Sequence, residues 1–564
     1  MQTISGQLID LHQRRIYPAE IAFESNRILS IREVADAPQQ YILPGFVDAH
    51  VHIESAMLTP AAFARLAVAH GTVATVSDPH EIANVCGVKG VQYMLDNAAQ
   101  TNFHFFFGAP SCVPATGFET AGATLDAAAV AALLQRPDIW YLSEMMNYPG
   151  VLQGDESVLA KIAAARAAGK PVDGHAPGLM GEAAQQYAAA GISTDHECTT
   201  LQEAKDKIAA GMKILIREGS AAKNYEALAP LFETNPKSLM FCSDDKHPDD
   251  LLLHHINELV KRSLDKGYNL FDVLYAACMA PVLHYKLPVG LLRVNDTADF
   301  IVMSEMGRGA VLQTFINGQL VFTRSNTPPP LGGGMGRGRG KVNLPEIKAA
   351  HINVFQAQPV KPEQFQLKAP GAHSTLHVIQ ALDGQLITRA IKQSAVIENG
   401  WLQADLEKDV LKLVVLNRYT PDAKPALAFI KGFGIQKGAI ASTVAHDCHN
   451  IIATGADDAS IAAAINAIVK SKGGIAVAKS PAEVEVMPLP IAGLMSDLDG
   501  ETVGRQYAAL DAAAKNLGST LKAPFMTLSF MALLVIPALK LSDKGLFDGE
   551  KFEFVDAVSD TYNR

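Results

Sequence analysis

The chain has 564 residues, of which 48% are hydrophobic and 19% charged, and its formal net charge is −10. It is too long for a single core, so two or three domains are expected, and its composition excludes an intrinsically disordered protein. The negative charge argues against nucleic acid as a partner. Six scattered cysteines without a CxxC pair predict a reduced, cytoplasmic protein. We expect neither a signal peptide nor a membrane span, because no segment has the required pattern.

Residues 1–42 contain short β-type runs separated by turn residues, and the same texture returns over about 290–325. In the second region, Asn317-Gly318 predicts a hairpin turn. Neither region can close a core alone. We therefore expect residues 1–42 and 286–325 to form one small β-sandwich domain on the two flanks of a large insert.

The insert, residues 43–285, alternates apolar β-type runs with alanine-rich helical segments. The spacing of about 28 residues per unit is that of a βα repeat, so we predict a (β/α)8 TIM-type barrel. An open doubly wound sheet is the alternative, but no GxGxxG sequence follows the first strand. The predicted strands are Ile42–His52, Gly71–Ser77, Phe103–Ala109, Ile139–Ser143, Pro171–Gly174, Gly191–Thr194, Met212–Ile216 and Ser238–Cys242.

Residues 326–341 are rich in proline and glycine, which predicts a flexible linker, with a lid loop as the alternative. Residues 342–564 then carry the signals of an additional C-terminal α/β domain. These signals are a glycine-rich β stretch over Phe429–Thr443, a helix over Asp458–Lys470 and a further strand over Gly474–Ala478.

Polar side chains gather where the barrel strands are predicted to end, which is where barrel enzymes hold their active sites. His50 and His52 are two residues apart, so their side chains point the same way from one strand and can hold one divalent metal. His80 and Glu81 follow the second strand. The predicted metal ligands are His50, His52, Glu144, His175, His196 and Asp244.

Six ligands exceed what one four-coordinate ion requires, so we predict two divalent metal ions that share a bridging carboxylate. Ligands without thiolates favour Mn(II) or Fe(II), and Zn(II) is also compatible. Asp244 would both bind metal and shuttle a proton, starting as a base because adjacent dications favour its ionised form.

The motif PGFVDAHVHIES, the strand ends at His175 and His196, and Asp244 after strand 8 together resemble the amidohydrolase superfamily. Over nearly its whole length the chain more closely resembles the adenine deaminase family. Hydantoinase-type relatives place a carboxylated lysine at the end of strand 4, where this chain has Glu144, which can bridge two metals unmodified. The resemblance is carried by SDPHEIANV, FHFFFGAPSCVPAT, DGHAPGL, STDHECT, FCSDDKHP, VAHDCHNIIATG and MPLPIAGLMSD.

This resemblance implies hydrolytic deamination of adenine to hypoxanthine and ammonia, with a metal-bound hydroxide attacking C6. In this reaction Asp244 would pass a proton to the departing amine, while Glu144 or His80 would protonate ring N1. We expect adenine as the small-molecule partner and a homo-oligomeric enzyme. The candidate contacts to the purine edges are Glu81, Ser111, Ser243, His446, Asp447 and His449.

The HDCHN segment, which contains His446, Asp447 and His449, allows three interpretations. It could line the active site from the second domain, hold a separate metal, or form a structural hydrogen-bonded cluster. Two alternative functions also stay open. One is a binuclear hydrolase of the same architecture that acts on a cyclic amide or another aminated heterocycle, and the other is a non-catalytic scaffold.

Overall fold

The computed structural model describes residues 1–325, 340–371 and 373–560, and its central part is the predicted barrel. Eight strands pair in parallel around a ring. Parallel bridges from Val51 to Asp244 and from Val172 to Ile192 close this ring. The barrel strands are Phe46–Val51, Thr72–Ser77, His104–Ala109, Ile139–Met145, Val172–Gly174, Thr194–Asp195, Lys213–Arg217 and Leu239–Cys242.

Helices surround the barrel, and several begin at a residue whose side chain caps the first turn. Thr59, Asp126, Asp155 and Thr200 each accept a hydrogen bond from the backbone N–H three residues later. The helices are Pro60–Ala67, His80–Cys86, Val88–Ala98, Ala127–Leu134, Tyr148–Gln153, Glu156–Ala167, Gly181–Ala189, Leu201–Ala209, Tyr225–Leu228, Leu231–Thr234, Pro248–Leu253, Ile256–Asp265, Leu270–Leu274 and Ala280–Tyr285.

The first predicted strand, Ile42–His52, is divided at Gly45. Tyr41–Pro44 pairs within the flanking sheet, and the barrel strand begins at Phe46. A Cβ atom on Gly45 would lie 2.3 Å from Val73 Cγ1, so the backbone can approach the second strand this closely only at a glycine. This apolar run therefore contributes one strand to the flanking sheet and one to the barrel.

The two flanks combine into one eight-stranded sheet that folds over onto itself. The ring of Phe23 lies 5.5 Å from that of Phe300 and 5.7 Å from that of Phe315, although their strands are not neighbours in the sheet. The hairpin predicted at Asn317-Gly318 is confirmed, with both residues at positive φ. The strand order is Gly340–Val342, Gln319–Arg324, Val311–Ile316, Phe300–Met303, Tyr41–Pro44, Gln2–Asp10, Arg15–Glu24 and Arg27–Glu33.

The linker or lid predicted over 326–341 falls largely outside the described residues, which resume at Gly340. Gly340 and Lys341 pair with Arg324 and Thr323 at the edge of the flanking sheet. The last two residues of the predicted linker therefore belong to a strand.

The C-terminal domain is a mixed nine-stranded sheet with helices Asp458–Ser471, Gly500–Asn516 and Pro524–Ser529. Val558–Asp560 pairs beside Ser374–Gln380. A small sheet of Leu539–Ser542, Gly545–Asp548 and Glu553–Phe554 and a hairpin of Val396–Glu398 and Trp401–Gln403 complete it. The other strands, in sheet order, are Arg389–Ser394, Ser374–Gln380, Ala426–Lys431, Val410–Leu416, Ile451–Gly455, Ala439–Ser442, Gly474–Ser480 and Glu483–Pro488.

The C-terminal domain packs on the barrel at the face where the strands end. The Ser496 backbone N–H donates to Met57 O at 2.9 Å, and Asn450 Nδ2 donates to Thr120 O at 2.9 Å. The six cysteines are all buried and unpaired, as predicted. None of the helices within the described ranges is long and apolar enough to cross a lipid bilayer.

Candidate metal centre and active site

The ends of the barrel strands bring the predicted ligands into one buried cluster, which we call the barrel cluster and define as His50, His52, Glu144, His175, His196 and Asp244. Each of these residues is at most 5% exposed. His50 Nε2 and His52 Nε2 lie 3.1 Å apart, which is the arrangement expected from their spacing on one strand. Within the cluster, His50, His196 and Asp244 are close enough to ligate one ion, and so are Glu144, His175 and His196.

The protonation of His52 shows that this cluster fits a cation. His52 Nδ1 lies 3.2 Å from the backbone oxygen of Asp78, which can only accept, so Nδ1 carries the hydrogen of the neutral ring. The lone pair on His52 Nε2 then faces Glu144 Oε1 and Asp244 Oδ1, each at 3.2 Å. Burial would lower the pKa of His52, but the two carboxylates hold it well above its usual value, so the site favours a cation between these atoms, either a proton on Nε2 or a metal ion. The donor set of imidazole nitrogens and carboxylate oxygens suits a divalent metal.

Glu144 divides its two oxygens between two pairs of histidines. Oε1 faces His52, whereas Oε2 lies 2.6 Å from His175 Nδ1 and 3.2 Å from His196 Nε2. Burial alone would raise the pKa of Glu144, but the adjacent histidines hold it well below its usual range. This is the position that a carboxylate bridging two ligand sets requires.

Asp244 is oriented by a buried arginine. Arg217 Nη1 donates to Asp244 Oδ2 at 2.7 Å and also to Glu197 Oε1. Because Oδ2 is occupied, Oδ1 remains directed at the barrel cluster. Burial would raise the pKa of Asp244, but Arg217 and the neighbouring histidines hold it well below its usual range.

His80 lies at the edge of the barrel cluster, at the start of the helix His80–Cys86. Its Nδ1 is 3.0 Å from Asp78 Oδ2 and 3.5 Å from Glu144 Oε1. Its Nε2 points the other way, 3.4 Å from Glu81 Oε1 and 3.8 Å from Asp447 Oδ1. The imidazole therefore separates the predicted metal ligands from the residues supplied by the C-terminal domain.

Glu81 meets the C-terminal domain in a second group, which we call the interdomain cluster and define as Glu81, His446 and His449. His446 Nδ1 contacts Glu81 Oε1, and His449 Nε2 contacts Glu81 Oε2. His446 also stacks on Phe530, with the ring centroids 5.2 Å apart. Two histidines of the C-terminal domain thus contact one carboxylate of the barrel.

Hydrogen bonding assigns the protons of the interdomain cluster. The Ala445 backbone N–H donates to His449 Nδ1 at 3.1 Å, so the hydrogen of the neutral His449 ring is on Nε2, which donates to Glu81. Burial lowers the pKa of His449, whereas His446, although also buried, has its pKa raised to about 9 by Glu81 and Asp245. Burial would raise the pKa of Glu81, but the two histidines hold it well below its usual range.

The other predicted purine contacts lie nearby and differ in whether their polar atoms already have hydrogen-bond partners in the protein. Asp447 is 3% exposed, and its Oδ2 has no hydrogen-bond partner among the described residues. Ser111 donates its hydroxyl hydrogen to the backbone oxygen of Glu144, and Ser243 donates to Asp48. Both hydroxyl groups are thus engaged within the protein, and substrate contact by either serine stays a prediction.

The residues that orient the barrel cluster include some that were absent from the set predicted from the sequence. Arg217 ends the seventh barrel strand, and Glu197 directly follows His196. The strand-end rule that selected the histidines also applied to Arg217 and was sufficient to find it. Glu197 also follows a strand end, but its role depends on the ion pair with Arg217.

Comparison with known proteins agrees with both parts of the chain. The family model described as "Amidohydrolase family" matches residues 41–321. The family model described as "Adenine deaminase C-terminal domain" matches residues 385–553. The chain is 53% identical over 559 residues to an adenine deaminase of Salinibacter ruber, with 99% of each chain covered. It is 54% identical over 556 residues to one of a Sulfurovum species, covering 98% of this chain and 99% of the relative. The chain therefore belongs to the adenine deaminase family of amidohydrolases.

Proposed function

We propose that this chain catalyses the hydrolytic deamination of adenine to hypoxanthine and ammonia. The observation that carries the proposal is the division of Glu144 between two histidine pairs, with Asp244 Oδ1 directed at the same cluster. The relatives named adenine deaminase, which align over almost the full chain, support adenine as the substrate.

We propose that His50, His52 and Asp244 would hold one divalent ion, and that His175 and His196 would hold a second, with Glu144 shared. Such a pair of ions supplies Lewis acidity and makes water nucleophilic at neutral pH. The relevant ions are Mn(II) or Fe(II), with Zn(II) also compatible with the donors.

Asp244 is the group proposed to move protons during the reaction. Arg217 holds its Oδ2 at 2.7 Å, so Oδ1, the oxygen that faces the barrel cluster, is the one that would accept a proton from the attacking water and return it to the departing amine. Because Arg217 is buried and charged, Asp244 keeps a fixed orientation through both transfers.

Protonation of ring N1 is required so that the purine can accept electrons as C6 becomes tetrahedral. Glu144 and His80 were both predicted for this role. Glu144 has both oxygens within 3.2 Å of imidazole nitrogens, whereas the nearest carboxylate to His80 Nε2 among the described residues is Glu81 Oε1 at 3.4 Å. We therefore favour His80 as the donor and Glu144 as the shared ligand.

The test is a substrate panel on protein loaded separately with Mn(II), Fe(II) and Zn(II), with ammonia release measured. We expect ammonia from adenine and none from adenosine, guanine, cytosine or hydantoin. Turnover of another heterocycle or a cyclic amide without turnover of adenine would contradict the proposal. Absence of bound metal together with unchanged activity in His50→Ala would contradict the metal-dependent mechanism.

We also propose a cytoplasmic location and a homo-oligomeric state for the enzyme. All six cysteines are buried thiols, which suits a reducing cytoplasm. We expect a homo-oligomer, and light scattering at micromolar concentration tests this directly.

A further inference from the structure

The barrel ring has two seams. Its first five strands form one hydrogen-bonded sheet, and its last three strands form another. Within the described residues, one isolated bridge joins each pair of sheet edges, from Val51 to Asp244 at what we call the first seam and from Val172 to Ile192 at the second seam. Every other pair of neighbouring barrel strands shares at least two paired residues. The backbone ladder therefore has the fewest paired residues at the two seams.

Asp48 joins the two sides of the first seam. It is fully buried and lies two residues before His50 on the first barrel strand. Its Oδ1 accepts from the Ser243 backbone N–H at 3.0 Å, across the seam, and from the His50 backbone N–H at 3.3 Å. Its Oδ2 accepts from Ser243 Oγ and, at 2.8 Å, from His255 Nε2. One carboxylate thus holds the residue before Asp244 to the strand that carries His50.

Asp173 occupies the corresponding place at the second seam. It lies two residues before His175 and is 1% exposed. Across the seam, Thr194 Oγ1 donates to Asp173 Oδ1 at 2.9 Å, and Thr194 in turn lies two residues before His196. Tyr285 Oη lies 2.9 and 2.8 Å from the two oxygens of Asp173. At both seams, therefore, a buried carboxylate precedes a ligand histidine and accepts a side-chain hydrogen bond from the opposite strand.

The two seams divide the barrel cluster in the same way as the two proposed ions. The ligands proposed for the first ion lie at the ends of strands one and eight, which meet at the first seam. Those proposed for the second ion lie at the ends of strands five and six, which meet at the second seam. We propose that Asp48 and Asp173 are positioning residues, each of which aligns the ligands of one ion and not those of the other. This inference rests on the two-ion site of the proposed deamination.

A metal site binds tightly only when its ligands are held in place before the ion arrives. Removing a hydrogen bond that orients a ligand lowers metal affinity by about 10–100-fold. Asp48 acts through the backbone of His50 and of the residue next to Asp244, so it does not need to touch the ion. Among the described residues, no hydrogen bond joins Asp48 to Asp173. The two seams can therefore be altered one at a time, and each carboxylate is the matched control for the other.

The experiment isolates each ion by a ligand substitution and then removes one seam carboxylate. His175→Ala retains the ligand set proposed for the first ion, and His52→Ala retains that of the second. Each is combined with Asp48→Ala or Asp173→Ala, and Mn(II) binding to the metal-free protein is measured by calorimetry. In the His175→Ala protein, we expect Asp48→Ala to weaken binding by about 10–100-fold and Asp173→Ala to change it by no more than about twofold. In the His52→Ala protein the two effects should be exchanged.

Conservative variants separate the lost hydrogen bonds from the lost volume. Asp48→Asn and Asp173→Asn keep an acceptor oxygen for the bond across the seam, so they should lose less affinity than the alanine variants. Melting curves of the metal-free proteins check that each variant folds. If an alanine variant does not fold, Ser243→Ala or Thr194→Val replaces it, since each removes one side-chain hydrogen bond across its seam. We expect the same selectivity from these variants, with a smaller loss.

Selectivity is the result that a general weakening of the barrel would not give. Equal weakening of both ions by either alanine variant, or no change in either ion, would overturn the inference. A wild-type protein that binds fewer than two ions would also overturn it. Ammonia release from adenine is measured on the same wild-type protein. Two bound ions without ammonia would refute the proposed function, whereas the pattern of affinities would still decide whether the seams position the ions.

Discussion

Two buried groups of histidines and carboxylates lie side by side in this protein, and they differ in what completes them. In the barrel cluster, the lone pair of His52 Nε2 faces two carboxylate oxygens at 3.2 Å. In the interdomain cluster, each oxygen of Glu81 contacts a different imidazole nitrogen, and His449 Nδ1 accepts from a backbone N–H. The first arrangement directs a lone pair and two carboxylate oxygens at one point where a cation fits, whereas the second, although also close enough to ligate an ion, has both carboxylate oxygens met by imidazole nitrogens of its own. Residue type alone does not distinguish a metal site from a structural cluster.

Replacing the shared carboxylate should have the largest effect. We expect Glu144→Gln to lower kcat/KM by at least about 1,000-fold, because it removes a charged ligand from both histidine pairs. Metal analysis should find fewer than two ions per chain. Glu119 is a buried carboxyl group outside both clusters, so Glu119→Gln serves as the control and should retain full metal content. Two retained ions in Glu144→Gln would show that the carboxylate is not shared.

Removal of Arg217 should disturb both stability and metal binding. Arg217→Met leaves Glu197 and Asp244 without their buried counter-charge, which costs about 3–5 kcal/mol. We expect metal affinity to fall by about 10–100-fold, since Asp244 loses its orientation. Thermal unfolding and metal titration measure the two effects. Added metal should recover part of the lost stability. If it recovers none, Arg217 does not contribute to metal binding by the barrel cluster.

The interdomain cluster should affect activity without affecting metal content. In His449→Phe, Glu81 loses one donor, and we expect kcat/KM to fall by about 10–100-fold. The number of bound ions should stay at the wild-type value. Three ions in the wild-type protein and two in His449→Phe would contradict our distinction between the clusters.

Glu119 is a buried carboxyl group whose pKa is governed by burial and by a neighbouring anion. Burial, together with the charge of Asp447, raises the pKa of Glu119 to about 8 from its ordinary 4.5. Between pH 4.5 and 8 the folded state therefore holds a proton that the unfolded chain has released, so this group makes stability fall as pH rises through that window.

Glu119→Gln cannot ionise and should lack this contribution. We expect its melting temperature, relative to the wild type, to increase between pH 5 and pH 8. The free-energy difference should change by no more than about 1.4 kcal/mol per pH unit. Melting curves of both proteins across this range measure the effect, and a constant difference would show that Glu119 ionises normally.

The barrel was predictable because its signals are local and repeated. Apolar runs of the right length recur at the spacing of a βα unit, and polar residues follow the strand ends. His50 and His52 share a face because side chains alternate along a strand, and this holds wherever the strand lies. The resemblance to the adenine deaminase family identified the C-terminal domain in the same way, from stretches of contiguous sequence.

The remaining features depend on contacts between distant parts of the chain. The division of the first strand at Gly45 arises from its close approach to Val73, and the role of Glu197 arises from its ion pair with Arg217. The sequence left the role of HDCHN undecided, because the same residue types serve as metal ligands and as members of hydrogen-bonded clusters. Only the packing of the C-terminal domain onto the barrel brought His446 and His449 to Glu81.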